Sequence, residues 1–136
     1  MKAPVHYVRN TEVDAASARF ARALDEAGVP PRGRVACLTA NTPETLAAYR
    51  GTTWSGRRFT PMSSRWTADE VDYVVGNCEA DVLVADVRFK DRLTAAGAQI
   101  ANDRRFSVGG HMEGFRPWAD IDAQPGEPYD RPLCGD

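Results

Sequence analysis

Apolar residues recur at threes and fours from Asn10 onward. Val13, Ala16, Phe20, Ala23, Leu24 and Ala27 fall on one face and Gly28 supplies a stop, so the spacing predicts an amphipathic first helix. Thr11 with Asp14 resembles a capping box at its start. After the turn formers Pro30, Pro31 and Gly33 the pattern changes. Val35-Ala36-Cys37-Leu38-Thr39 is a short continuous apolar run, the mark of a strand buried on both faces. Thr42 as N-cap with Pro43 at the first helical position then opens a second helix, through Leu46 and Tyr49 toward Trp54, with Gly56 near its end.

The alternation continues. Arg58-Phe59-Thr60 is a brief strand stopped by Pro61, and in Thr67-Ala68-Asp69-Glu70 the Thr67 and Glu70 side chains can satisfy each other's free amides, which starts a third helix. Its apolar stripe is Val71, Val74, Val75 and Cys78; Asp81-Val82-Leu83-Val84-Ala85 then reads as a second doubly buried strand. A fourth helix is expected over Phe89 to Ala96, ending at Gly97, and a further strand at Phe106-Ser107-Val108. Strands alternating with helices imply right-handed crossovers and a mostly parallel sheet with helices on both faces, the doubly wound α/β class. From His111 to Asp136 the prolines Pro117, Pro125, Pro128 and Pro132 break any periodicity. The organisation expected is therefore an α/β segment over 1–110 and an extended Pro-rich connector over 111–136, with one turn around Trp118 to Ile121.

With 136 residues, 43% apolar and 26% charged, there is material for one buried core and no room for a second full domain. A formal net charge of −2, with arginines scattered among acids, gives no basic stripe and argues against a nucleic-acid partner. Cys37, Cys78 and Cys134 are odd in number, far apart and without a Cys-x-x-Cys pair, which disfavours a disulfide framework and a zinc site. They read as two small buried hydrophobes and a loop thiol in a reducing, cytoplasmic setting. No apolar stretch approaches the ~18 residues of a membrane span, and residues 1–8 lack the apolar run of a leader.

Candidate chemistry is sparse. Gly51-Thr52-Thr53-Trp54-Ser55-Gly56-Arg57-Arg58 has two glycines at phosphate-loop spacing, but Arg-Arg stands where Lys-Ser/Thr belongs. The segment also closes a helix and precedes a strand, whereas a phosphate loop follows a strand and opens a helix so that free amides face the anion. Its arginines read as solvated. His6 and His111 lie in opposite irregular ends without neighbouring ligands, and Asp69, Glu70 and Asp72 are acids that a helix start favours through its dipole. No catalytic, cofactor-binding or metal-ligating residue is assigned.

The order of these segments resembles the start of the adenylate-forming superfamily, specifically its fatty-acid and acyl-CoA ligases. Glu12 to Leu24 is similar to the family's first helix, E-L-D-x-x-S-x-R-L-A-x-A-L; Gly28 to Leu38 parallels G-V-x-x-G-D-R-V-A-x-L. Asn41-Thr42-Pro43-Glu44 parallels N-S-P-E, and Ser55 to Met62 parallels A-G-x-x-Y-x-P-L ahead of a Leu-Thr-x-x-Glu helix start, here Trp66 to Glu70. Gly114-Phe115-Arg116-Pro117-Trp118 with Pro125 to Pro132 resembles the loop preceding the family's ATP motif. Two departures stand out: Arg9-Asn10 replaces a usual Thr-Tyr pair, and Gly33 precedes Arg34 without the common Asp.

The resemblance implies a partial N-terminal subdomain of a ligase that joins a carboxylic acid to coenzyme A through an acyl-adenylate, using ATP and Mg. The Ser/Thr- and Gly-rich loop with Pro-Lys-Gly, the Tyr-Gly-x-Thr-Glu segment, the ribose-holding Asp and the catalytic Lys of that family have no counterpart before Asp136. The chain is therefore expected to bind no cofactor by itself, to be inactive alone, to pair with the missing remainder of a synthetase, and to self-associate when isolated. The competing reading is a self-contained flavodoxin-like or receiver-like binding module. A receiver needs an acidic cluster and a phosphorylatable Asp at strand ends, whereas Thr39 leads into Ala40-Asn41-Thr42.

Overall fold

Two strands buried on both faces set the plan of the molecule, because each needs a helical layer above and below it. A computed structural model describes residues 10–40, 42–93 and 100–129. Its helices are α1 (Asn10–Glu26), α2 (Pro43–Trp54), α3 (Ala68–Asn77) and α4 (Ala119–Asp122). Its strands are β1 (Arg34–Leu38), β2 (Arg58–Pro61), β3 (Val82–Asp86), β4 (Arg105–Val108) and β5 (Arg116–Pro117). The sheet is parallel throughout, in the order β2-β1-β3-β4-β5.

One core lies between the sheet and α1, α2 and α4, with Phe20, Leu24, Val35, Ala48, Val84, Phe106 and Ile121 in contact. The other lies on the opposite face, where Leu38, Leu83, Val71, Val75 and Ile100 meet. The chain changes face because the step from β1 to β2 runs one way along the sheet and the step from β2 to β3 runs back across β1. A right-handed crossover in each direction puts α2 and α3 on opposite sides. The α/β class with helices on both faces, expected from the alternation, is what the chain adopts. The apolar stripes also face the sheet: Phe20 is fully buried, and Val74, half-buried, packs against the second core.

Local signals explain the element ends. Gly28 takes φ +77 after α1, a conformation that costs glycine no Cβ clash. The Thr42 side chain accepts from the Thr45 amide, with Pro43 opening α2. At α3 the Glu70 amide donates to Thr67 Oγ1 at 3.2 Å and the Thr67 amide to Glu70 Oε1 at 2.8 Å. Pro61 fits within β2 because β2 is an edge strand, where a missing N–H need not break a ladder.

Three expectations meet a different structure. In place of an α-helix from Phe89, a 3-10 helix spans Val87–Arg92, started by the Arg88 amide donating to the buried Asp86 carboxylate at 3.0 Å. Residues 94–97 of that expected helix, like Thr11 of the proposed capping box, His6 and Cys134, lie outside the described residues or side chains. Arg57, read as solvated, is 7% exposed, while Arg58 is exposed as expected. Residues 111–129, read as a connector, pack in part: β5 extends the sheet, Trp118 lies against the first core and Ile121 is fully buried.

Helices α1 and α2 touch at Gly51. A Cβ built there would lie 2.6 Å from the Ser17 carbonyl oxygen and 3.0 Å from Phe20 Cβ, and neither can swing away. Gly51→Ala should therefore destabilise by about 1–3 kcal/mol despite its better helix propensity. Gly76 sits exposed within α3, so Gly76→Ala should stabilise by about 0.5–1 kcal/mol. Urea denaturation of the two variants should give midpoints that move in opposite directions.

Candidate functional site

In an open α/β sheet, ligands settle outside the carboxyl ends of the strands, at the place where successive connections leave in opposite directions. Here that place lies between β1 and β3, since β1 leads outward to β2 and β3 leads outward to β4. It holds Thr39, Ala40 and Thr42 after β1, Thr45 on the first turn of α2, and Asp86 at the end of β3.

These groups satisfy one another. Thr45 Oγ1 donates to the Ala40 carbonyl at 2.6 Å and lies 2.6 Å from Thr39 Oγ1 and 3.1 Å from Thr42 Oγ1. Cys37 Sγ lies 3.3 Å from Thr39 Oγ1. Asp86, 3% exposed, accepts from the amide and the Nε of Arg88, and Gly109 (φ +86) leaves room beside its carboxylate. Among the described residues, none of these hydroxyls is hydrogen-bonded to an imidazole or carboxylate base, and the carboxylate is used as a helix cap. The bonds described here hold the loop after β1 against the first turn of α2.

The residues weighed from sequence fall elsewhere. Cys37 is buried in β1, where desolvation pushes its thiol up from 9.0 to about 11 despite the Thr39 hydroxyl. Cys78 caps α3, half-buried. His111 is exposed. Asp69 and Glu70 occupy the exposed first turn of α3 and Asp72 follows, half-buried. Among the described residues, no group of three or more His, Cys, Asp or Glu could hold a metal ion, and no helix is long and apolar enough to cross a membrane.

Gly51 to Arg58 is a helix end, as its sequence context implies. Gly51 is the α1 contact, Gly56 (φ +80) ends the turn, and the Arg57 guanidinium faces inward. It donates to Asp25 Oδ1 at 2.9 Å and to the Val29 carbonyl at 2.6 Å. Tyr129 donates to the other oxygen of Asp25 at 2.6 Å; burial first, then that carboxylate, raise its phenol above the ordinary value. This cluster of Asp25, Arg57 and Tyr129 was not foreseen. Its members are far apart in the chain and fit no spacing rule. Strand alternation does not place Arg57 either, since it lies in the turn between α2 and β2 (Arg58–Pro61).

A family model described as "AMP-binding enzyme" matches residues 9–125. A feruloyl-CoA synthase of an Amycolatopsis species is 30% identical over 116 residues, which are 85% of this chain and 21% of the synthase. Among solved structures, one described as a long-chain-fatty-acid CoA ligase of Rhodopseudomonas palustris superposes with a TM-score of 0.82 at 24% identity, over 94% of this chain and 32% of that one. Coronafacic acid ligase of Pectobacterium brasiliense gives 0.82 at 18% identity, over 97% of this chain and 27% of the other. At those identities the likeness is one of fold. The chain spans about a fifth to a third of the length of these proteins.

A thiol held protonated by burial cannot act as a nucleophile, because the thiolate is the reactive form. Cys37 should stay unlabelled by iodoacetamide in the folded chain between pH 7 and 9 and label once urea unfolds it, as peptide mass spectrometry would show. The same shift sets a sign for stability. The folded state binds the thiol proton more tightly, so this contribution is whole below pH 9 and is lost as pH rises toward 11.

Proposed function

Because the chain belongs to the AMP-binding enzyme family, matched over residues 9–125, we propose that it is the amino-terminal part of a cytoplasmic ATP-dependent acid–CoA ligase. In the parent reaction a carboxylate displaces pyrophosphate from the α-phosphorus of ATP to give an acyl-adenylate, and the thiol of coenzyme A then displaces AMP from it to give the acyl-CoA. The observation that carries this reading is coverage: similarity runs through 85% of this chain yet touches 21% of the feruloyl-CoA synthase. This part supplies scaffold and not chemistry. Adenylation concentrates negative charge on the transferred phosphate, and that charge has to be met by amides, cations or a metal aimed at it. The crevice between β1 and β3 offers hydroxyls bonded to one another, and Arg57 is engaged by Asp25 and Val29. Residues 111–129 would lead toward the ATP-gripping loop, and the remainder of the ligase is the partner.

The strand order favours a second reading. The arrangement β2-β1-β3-β4-β5 is also that of flavodoxin-like domains, which fold alone and bind ligands at the β1/β3 crevice. Such a module would melt cooperatively as a clean monomer. A part of a larger sheet would be marginal and would self-associate through its open edge, where Leu46 and Tyr49 are exposed beside Phe59 of β2.

Three measurements on the 136-residue chain separate these readings. Calorimetry should find ATP binding no tighter than about millimolar. No acid-dependent exchange of pyrophosphate into ATP should be seen with ferulate, benzoate or palmitate. Thermal melting with size-exclusion chromatography should show a broad transition and concentration-dependent association. A sharp melt above about 60 °C from a monomer would favour the self-contained module. Micromolar ATP binding or measurable exchange would overturn the scaffold assignment. Reading the DNA beyond codon 136 should reveal the Ser/Thr- and Gly-rich loop with Pro-Lys-Gly.

A further inference from the structure

Just past its deepest anchor, the last described part of the chain has no buried residue at all. Ile121 of α4 is fully buried and Trp118 lies against the first core. Helix α4 ends at Asp122, Ala123 is exposed, and residues 124–129 (Gln124-Pro125-Gly126-Glu127-Pro128-Tyr129) are each exposed or half-buried. Among the described residues, no backbone group of 125–129 bonds to another backbone group.

This strap is held by side chains from one face of α1. Arg22 holds most of it: its Nη1 donates to the carbonyls of Pro125 and Glu127, both at 2.7 Å, its Nη2 to that of Pro128 at 2.9 Å, and its guanidinium lies 5.9 Å from the Tyr129 ring centre. Arg19 Nε donates to the Gln124 carbonyl at 3.1 Å, Gln124 Nε2 to Glu26 Oε1 at 3.0 Å, and the Tyr129 hydroxyl to Asp25 Oδ2 at 2.6 Å. These are surface hydrogen bonds, which water replaces at little net cost, and no core burial backs them. Because a single guanidinium grips three carbonyls of the strap, the segment does not peel off residue by residue. It is held whole or released whole.

We propose that residues 124–129 form a latch on α1 that opens and closes as a unit while the sheet and both cores stay folded, with Ala123 as its hinge and Arg22 as its catch. Local openings are drawn from segments with few buried apolar contacts and solvent-exposed hydrogen bonds, and this strap has both features. Closed, the latch fixes Tyr129 beside the carboxyl end of α1 and completes the Asp25–Arg57 cluster. Open, the same residue swings on a tether whose extended length is about 20 Å. One arginine thus sets the point from which the chain continues past Tyr129, and this does not depend on the ligase reading.

The test is native-state proteolysis of the 136-residue chain by chymotrypsin over a range of low urea concentrations. Mass spectrometry separates the cut after Tyr129 from the cut after Phe106, which is fully buried in β4. Cleavage after Tyr129 is expected without urea and at a rate nearly independent of it, since opening the latch exposes little surface. Cleavage after Phe106 should rise steeply with urea, because it needs global unfolding. Arg22→Met should speed the cut after Tyr129 at least about tenfold and leave the cut after Phe106 within about twofold. Tyr129→Phe, which keeps a chymotrypsin site and loses the Asp25 bond, should speed cleavage at residue 129 about threefold. A cut at 129 that follows urea as steeply as the cut after Phe106, a rate unchanged in Arg22→Met, or an Arg22→Met chain in which both cuts quicken alike would each overturn the latch. Should Arg22→Met fail to fold, Tyr129→Phe supplies the readout, and an unchanged rate there overturns the proposal as well.

Discussion

The contacts of one buried side chain tie the helical layer over the first core to the sheet beneath it. The Phe20 ring stacks on Trp118 at 5.5 Å and 14°, meets the edge of Phe106 at 6.2 Å and 67°, and lies under Gly51 of α2. Each such aromatic pair contributes about 0.5–1.5 kcal/mol beyond its buried area. More important is what it connects: α1, α2, β4 and the segment leading into α4 all converge on a residue with no exposed surface. Close packing makes this a constraint and not a preference, because α2 can approach α1 only where residue 51 lacks a side chain. Without that approach Ala48 would not reach the first core.

The same helix holds the Pro-rich segment that follows α4. Proline has no N–H, so residues 124–129 cannot satisfy their carbonyls by folding into a local helix, and the donors come from α1. Arg19 Nε reaches the Gln124 carbonyl at 3.1 Å. Arg22 Nη1 reaches those of Pro125 and Glu127, both at 2.7 Å, and its Nη2 that of Pro128 at 2.9 Å. At Gly126 the strap crosses α1 closely, where a Cβ would stand 2.7 Å from an Arg19 nitrogen and would push that guanidinium aside. Tyr129, bonded to Asp25, ends the series, and Asp25 in turn holds Arg57. A composition that looks disordered is thus ordered by a row of side chains at i, i+3 and i+6 on a helix one hundred residues away.

What the sequence made legible and what it hid follow from the range of the forces involved. The capping box at Thr67 and Glu70, the Thr42–Pro43 start and the Gly28 stop are decided within four residues, and each is found where the spacing puts it. Both doubly buried strands were readable because a run of apolar residues leaves a strand no solvent face. The 3-10 helix at 87–92 was not, because its start depends on a buried carboxylate at Asp86 whose burial is a tertiary fact. Nor was the interior position of Arg57, since its partners Asp25 and Val29 lie some thirty residues earlier. At the β1/β3 crevice, Thr39, Thr42 and Thr45 were visible as residues but not as a closed hydrogen-bonded group. That closure joins the loop after β1 to the first turn of α2.

The two sheet edges bear differently on how such a chain behaves. Strand β5 is two residues long, is followed at once by α4, and carries an arginine whose charge is met on three sides, so it offers little to a passing strand. Strand β2 is four residues long and open, with Phe59 set edge-on to Tyr49 at 5.4 Å and Leu46 exposed on the same helix. Natural edges are blunted by charge, proline or shortness, and here Arg58 and Pro61 mark the two ends of β2 while Phe59 keeps an aromatic in its middle. A sheet that ended its growth at this strand would gain from a charged residue at Phe59. An aromatic there, buttressed by another from α2, gains most when a further surface covers it. The edge is therefore the part of the fold whose sequence is least reconciled with water, and the apolar contact between α2 and β2 is where its stability is most open to addition.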